Sequence, residues 1–172
     1  PLFQALWRHA DVLVQNFRTG GAERLSAGYS ALSALNPRLV YCSTSGYGQQ
    51  GPAAQWAGHD LNYLAVGGYL GCSGRDADGR PAMPGATVAD SAGGGMHAAA
   101  AILAALLGRT ASGSGVYLDV AVADGVLNLM SLYIDEYLAT GNETRPGNAL
   151  LTGRFACYGV YTTADGRHLT VG

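Results

Sequence analysis

Two short stretches hold residue types that could move protons. GHDLNY, residues 58–63, sets His59 beside Asp60 and follows them with Asn62 and Tyr63. VADSAGGGM, residues 88–96, puts Asp90 just ahead of Gly93, Gly94 and Gly95. An imidazole exchanges protons near neutral pH, and a carboxyl does so only if burial lifts it well above about 3.9. Plainer roles are open to both. His59 and Asp60 could be a charge pair in a turn, and Asp90 could be an N-cap accepting orphan backbone N–H groups. The glycines argue against a cap alone. Three in a first helical turn cost roughly 1 kcal/mol each relative to Ala, so something there requires bare backbone, for example a ligand close to the helix N-terminus.

Other candidates carry less. His9, His97 and His168 lack supporting context and read as structural, and Arg18 and Arg24 read first as solvated loop charges. Asp119 and Asp124 flank a strand end and read as capping or turn residues. Gly46 to Gly51 matches GxGxxG after a strand, but Pro52 follows and no amphipathic helix starts there. A dinucleotide fingerprint needs that helix N-terminus for its pyrophosphate, so a glycine loop is the better reading. No GxSxG, Walker A or HExxH occurs, which weakens the hydrolase, NTPase and zinc-protease classes. Cys42, Cys72 and Cys157 are an odd number at unrelated spacings. They read as reduced, mostly buried thiols of a cytoplasmic protein, not as a disulfide frame or a zinc site.

The elements that must position these groups follow from periodicity. Residues 11–17 and 39–43 read as strands, separated by a loop and helix over 22–36 that Pro37 ends, which is βαβ spacing and so a parallel pair. Residues 46–86, rich in Gly, Pro and polar side chains, read as a long surface loop. From Asp90 runs the strongest helix, apolar on every side and therefore expected inside the protein. A turn over 110–115, a strand over 116–122 and a helix over 123–138 come next. Residues 140–153 read as a polar linker. Strands over 156–163 and 168–171 then flank Asp165-Gly166, a hairpin signal.

The 172 residues are 48% hydrophobic and 13% charged with formal net charge −2, a well-buried globular composition. No basic run suggests nucleic acid or an anionic membrane surface, and the longest apolar run, 98–107, is too short to span a bilayer. No signal peptide opens the chain. It starts at Pro1 and stops inside a strand at Gly172, and both ends read as cuts.

ADVLVQNFRTGGAERL, NPRLVYCSTSGYGQQGP, GHDLNY, VADSAGGGM, GSGVYLDVAVADGVLNLMS and CYGVYTTADGRHLTVG occur in this order. Together they resemble the family III CoA-transferase superfamily, and more closely its α-methylacyl-CoA racemase branch, over essentially the whole chain. The resemblance implies an α/β fold with a large Rossmann-like domain of parallel strands, a glycine-rich buried helix and a small domain. It also implies a homodimer of interlocked subunits. Residues 1–122 would belong to the large domain, 123–153 to a linker helix and loop, and 154–172 to the start of the small domain. The substrate would be an acyl-CoA thioester, with no metal or redox cofactor, no nucleic acid and no membrane.

By the same resemblance, His59 and Asp90 are the two proton-transfer groups of a racemase, acting at C2 of a 2-methyl-branched acyl-CoA. In a transferase Asp90 would instead be the nucleophile, and a non-catalytic CoA-binding role is a third reading. The backbone N–H of Asp60 would stabilise the enolate oxygen, Tyr63 would contact ligand or His59, and Gly93, Gly94 and Gly95 would leave room for ligand. Arg18 and Arg24 would hold the CoA phosphates. Thr19 replaces the proline of NFRPG, which should loosen a loop, and Ser91 stands where an aromatic is common, which should alter the acyl pocket. The glutamate that pairs with the racemase histidine would lie just past Gly172, and the first CoA-binding βα elements would precede Pro1. The 172 residues alone are therefore expected to be inactive and poorly stable.

Overall fold

The computed structural model describes residues 2–172; Pro1, read above as a cut end, lies outside the described residues. Its frame is three parallel strands, β1 (Val12–Gln15), β2 (Val40–Ser45) and β3 (Val116–Ala121), in that spatial order. Val40 of β2 stands opposite Val12 on one side and Val116 on the other. The first four residues of β2 are buried, as expected of a central strand covered on both faces. Leu13, Tyr41 and Tyr117 share a register level. They meet Ala27 and Leu32 in a core under the β1–β2 connection, where the Tyr41 hydroxyl donates to the Ala27 carbonyl at 2.9 Å. That connection, expected as a loop and one helix, holds α2 (Gly21–Arg24) and α3 (Tyr29–Leu35), while α1 (Leu2–Trp7) precedes β1.

Residues 46–86 are not all loop. They contain α4 (Asp60–Val66) and α5 (Tyr69–Cys72). Glycine-rich flanks hide α4 in the sequence, but Asn62 Oδ1 accepts the His59 N–H at 2.9 Å and closes its first turn. The chain next forms a π-helical segment, Ala89–Met96, that continues as α6 (His97–Ser112) along β2 and β3. The expected all-round burial does not hold, even at the start of this helix, where Asp90, Ser91 and Gly95 are exposed. Gly93, Gly94 and Ala98 are buried, whereas Met96, Leu103 and Leu107 are 69%, 67% and 73% exposed. Apolar composition alone did not reveal that only one face meets the sheet. Although its longest uninterrupted apolar run is short, the combined helix Ala89–Ser112 is long and apolar enough to cross a membrane by length and composition.

The helix expected over 123–138 is two, α7 (Val122–Leu129) and α8 (Ser131–Thr140). The break falls at Met130, whose N–H is shared between the carbonyls of Val126 and Leu127 at 3.0 and 3.1 Å. A second core joins Tyr63 and Leu64 of α4 to Ala89, Val122, Val126 and Met130. The last strands, β4 (Gly159–Thr162) and β5 (His168–Val171), pair antiparallel in a separate sheet. Their turn has Gly166 at φ 79°, and the Asp165 carboxyl is held down to about 2, chiefly by Arg167 and then by Thr163. The thiols are free but not mostly buried as expected: Cys42 is buried, Cys72 half-buried and Cys157 exposed.

Candidate active site

Beyond the C-terminal ends of the parallel strands lies a cleft of about 680 Å³. Asn16 follows β1, Ser45 ends β2 and Gly46 follows it, Val122 begins α7, and Ala98 and Ile102 of α6 close the side. Ligands of open parallel sheets bind at this end, where the connections diverge.

His59 and Asp90, distant along the chain, both line this cleft. His59 is the N-cap residue of α4, with extended backbone at φ −135° and ψ 178°. Asp90 is the second residue of the π-helical segment, whose cap position is taken by Val88, so Asp90 is not the N-cap. The two elements are tied directly: the Asp60 carboxylate accepts the backbone N–H of Asp90 at 2.9 Å. The Asp90 carboxyl itself has no hydrogen-bond partner among the described residues. Loss of solvent to the cleft wall pushes its pKa up from the usual 3.8, the Asp60 charge adds to this, and His59 pulls the other way.

Tyr63 also lines the cleft. The Tyr63 hydroxyl donates to the Gly58 carbonyl at 2.6 Å, so it holds the residue before His59 and not the imidazole. Its ring fills the space that a side chain on Gly46 or Gly58 would need: a Cβ at those positions would fall 2.4 or 2.7 Å from it. Tyr47 packs edge-on against this ring at 5.2 Å. Burial, then the Asp90 charge, raises the Tyr63 pKa.

The three glycines divide between two duties. Gly93 faces α7, where a Cβ on Gly125 would lie 1.9 Å from the Gly93 carbonyl oxygen. This backbone-to-backbone contact by itself accounts for the bare backbone at Gly93, which does not line the cleft. Gly94 and Gly95 line the cleft, and a Cβ on Gly94 would come within 3.0 Å of Val122. Ser45 was missed in the sequence. Its buried hydroxyl has no partner among the described residues, and the residue lines the cleft. A lone serine after a strand gives no pattern to find it by.

A model of CoA-transferase family III matches residues 1–172. The chain belongs to CoA-transferase family III. It is 38% identical over 171 residues to the alpha-methylacyl-CoA racemase of Homo sapiens, covering 99% of this chain and 44% of that protein. It is 37% identical over 166 residues to the succinate–glutarate CoA-transferase of Agrobacterium fabrum, covering 96% of this chain and 40% of that one. A crystal structure of a CAIB/BAIF family protein from Brucella suis superposes with a TM-score of 0.84 at 34% identity, over 96% of this chain and 43% of that one. The chain thus spans less than half the length of these relatives.

Two departures from the expected family III pattern take on a structural meaning. Thr19, expected to loosen its loop, ties it instead, since its hydroxyl donates to the Ala54 carbonyl at 3.1 Å. Ser91 does not line the cleft; its hydroxyl pairs with that of Thr87 at 3.1 Å. Asp119, expected to cap or turn a strand end, lies inside β3, where its carboxylate accepts the Gln49 N–H at 2.9 Å and so holds the 46–51 glycine loop. Arg18 and Arg24 are exposed and do not line the cleft, although the Arg18 charge is felt at Tyr63. Among the described residues no three His, Cys, Asp or Glu side chains are grouped as metal ligands.

Proposed function

We propose that the protein racemises C2 of a 2-methyl-branched acyl-CoA through His59 and Asp90. One observation carries this reading: the imidazole and an unpartnered, raised-pKa carboxyl face the same cleft. One group takes the C2 proton while the C2–H bond electrons move into the thioester as an enolate. The other group returns a proton to the opposite face of C2, and the net reaction consumes nothing. As the first residue of α4, Asp60 has a backbone N–H without an intrahelical acceptor, suited to the enolate oxygen. Arg18 and Arg24 would hold the CoA phosphates outside the cleft, a task for guanidinium forks.

A second reading, CoA transfer between carboxylic acids, is favoured by the freedom of the Asp90 carboxyl. It would attack a thioester as nucleophile, with its other partners supplied by the two substrates. The racemase and transferase relatives match at nearly equal identity, 38% and 37%, so resemblance does not choose between the reactions.

In either reading the full-length protein is an interlocked cytoplasmic homodimer that works without metal or redox cofactor, off the membrane, and the 172 residues alone have no turnover. The apolar faces of α6 and of the β4–β5 hairpin, exposed here, support a need for further covering structure. Incubation of the full-length protein with a 2-methylacyl-CoA in D₂O tests the first reading. Deuterium should enter C2 without an acceptor acid, and His59→Ala should slow this by about 10²- to 10⁴-fold. Exchange that requires an acceptor, with an Asp90 adduct trapped by hydroxylamine, would support the second and overturn the first.

A further inference from the structure

We infer that His97, read from the sequence as merely structural, is a positioning residue that fixes the π-helical turn carrying Asp90. The inference rests on the reading of Asp90 as the reacting carboxyl. π-Helical turns are rare, and they recur as single turns within α-helices at functional sites. This one contains three successive glycines, which have little helical preference of their own. Something outside the backbone must hold it.

The junction with α6 supplies that hold. The His97 backbone N–H turns to the Gly94 carbonyl. Its ring reaches back, with Nδ1 2.8 Å from the Ala92 carbonyl oxygen, in the turn that carries Asp90. A carbonyl can only accept, so Nδ1 carries the hydrogen and Nε2 is left as an acceptor. Asn128 Nδ2 lies 3.1 Å from Nε2 and donates to it. One neutral imidazole thus links the Asp90 turn to α7, the helix whose Gly125 also abuts Gly93. The ring is not among the residues that line the cleft. Its effect on chemistry is through the placement of the carboxyl.

The test uses the full-length protein with His97→Phe, which keeps a ring but loses both polar atoms, and His97→Asn, whose amide can replace the Nδ1 donor. For H97F we expect kcat to fall about tenfold or more with KM within about twofold, since misplacement of a reacting group is felt in turnover. Amide hydrogen exchange at residues 90–96 should quicken about tenfold while that of β2 stays unchanged. H97N should recover most of both. Wild-type kcat and exchange in H97F would overturn the inference. So would equal losses in both variants with faster exchange throughout the sheet, the pattern of a general packing role. Should H97F fail to fold, Asn128→Ala decides by the same two readouts, in the same direction and with smaller size. If the unaltered protein shows neither C2 exchange nor CoA transfer, the functional reading fails, and the amide exchange alone judges His97.

Discussion

The carboxylate of Asp60 accepts the backbone N–H of Asp90, so the first turn of α4 and the π-helical turn before α6 share one hydrogen bond. This bond places a negative charge beside the Asp90 carboxyl, where it adds to the effect of burial. Burial and a neighbouring charge thus act on the Asp90 carboxyl in the same direction.

Asp60→Asn should lower the Asp90 pKa. The amide oxygen can still accept the Asp90 N–H, while the charge that raises the carboxyl is gone. If ionised Asp90 is the base, activity is lost as pH falls through its raised pKa, above the usual 3.8. In D60N that acid limb should move to lower pH, as read from the pH profile of C2 proton exchange. The stability linkage has the opposite sense. A raised pKa means the folded state binds the proton more tightly, so this group's contribution is present at low pH and lost as pH rises through the folded pKa.

Gly125→Ala should be destabilising. The added Cβ would fall 1.9 Å from the Gly93 carbonyl, and neither backbone can yield without parting the π-helical turn from α7. Overpacking of this kind costs about 1–3 kcal/mol or more, measurable by denaturant unfolding of the full-length protein.

Tyr63→Phe removes the hydrogen bond to the Gly58 carbonyl but keeps the ring that fills the space beside Gly46. A stability loss of about 0.5–1.5 kcal/mol is expected. Because Gly58 precedes His59, kcat should fall more than KM rises, and steady-state kinetics would show it.

Thr19→Val should free the loop after β1 from the Ala54 carbonyl. The expected cost is again about 0.5–1.5 kcal/mol, with faster proteolysis within residues 48–56 as the local readout.

The framework was legible in the sequence because period and punctuation agree. The apolar run of β2, Pro37 at the end of α3 and the Asp165-Gly166 turn each point to one structure. Residues that act by touching something remote were not legible. Gly93 needs its bareness for Gly125, Thr19 for its hydroxyl reaches Ala54, and His97 bridges Ala92 and Asn128. None of these pairings leaves a periodic trace. The helix α4 was overlooked for a related reason: its signal is a side chain closing on the backbone, Asn62 on His59, within a stretch whose composition suggests loop.

The three thiols differ in a way that lets the protein report on itself. Cys42 sits in the middle of β2 with no solvent access, and burial pushes its pKa up, whereas Cys157 is open to reagent. An alkylating agent added under native conditions would mark Cys157 at once and reach Cys42 only when the strand separates from its neighbours. The rate of that second labelling is therefore a clock for opening of the parallel sheet, obtained without introducing any probe.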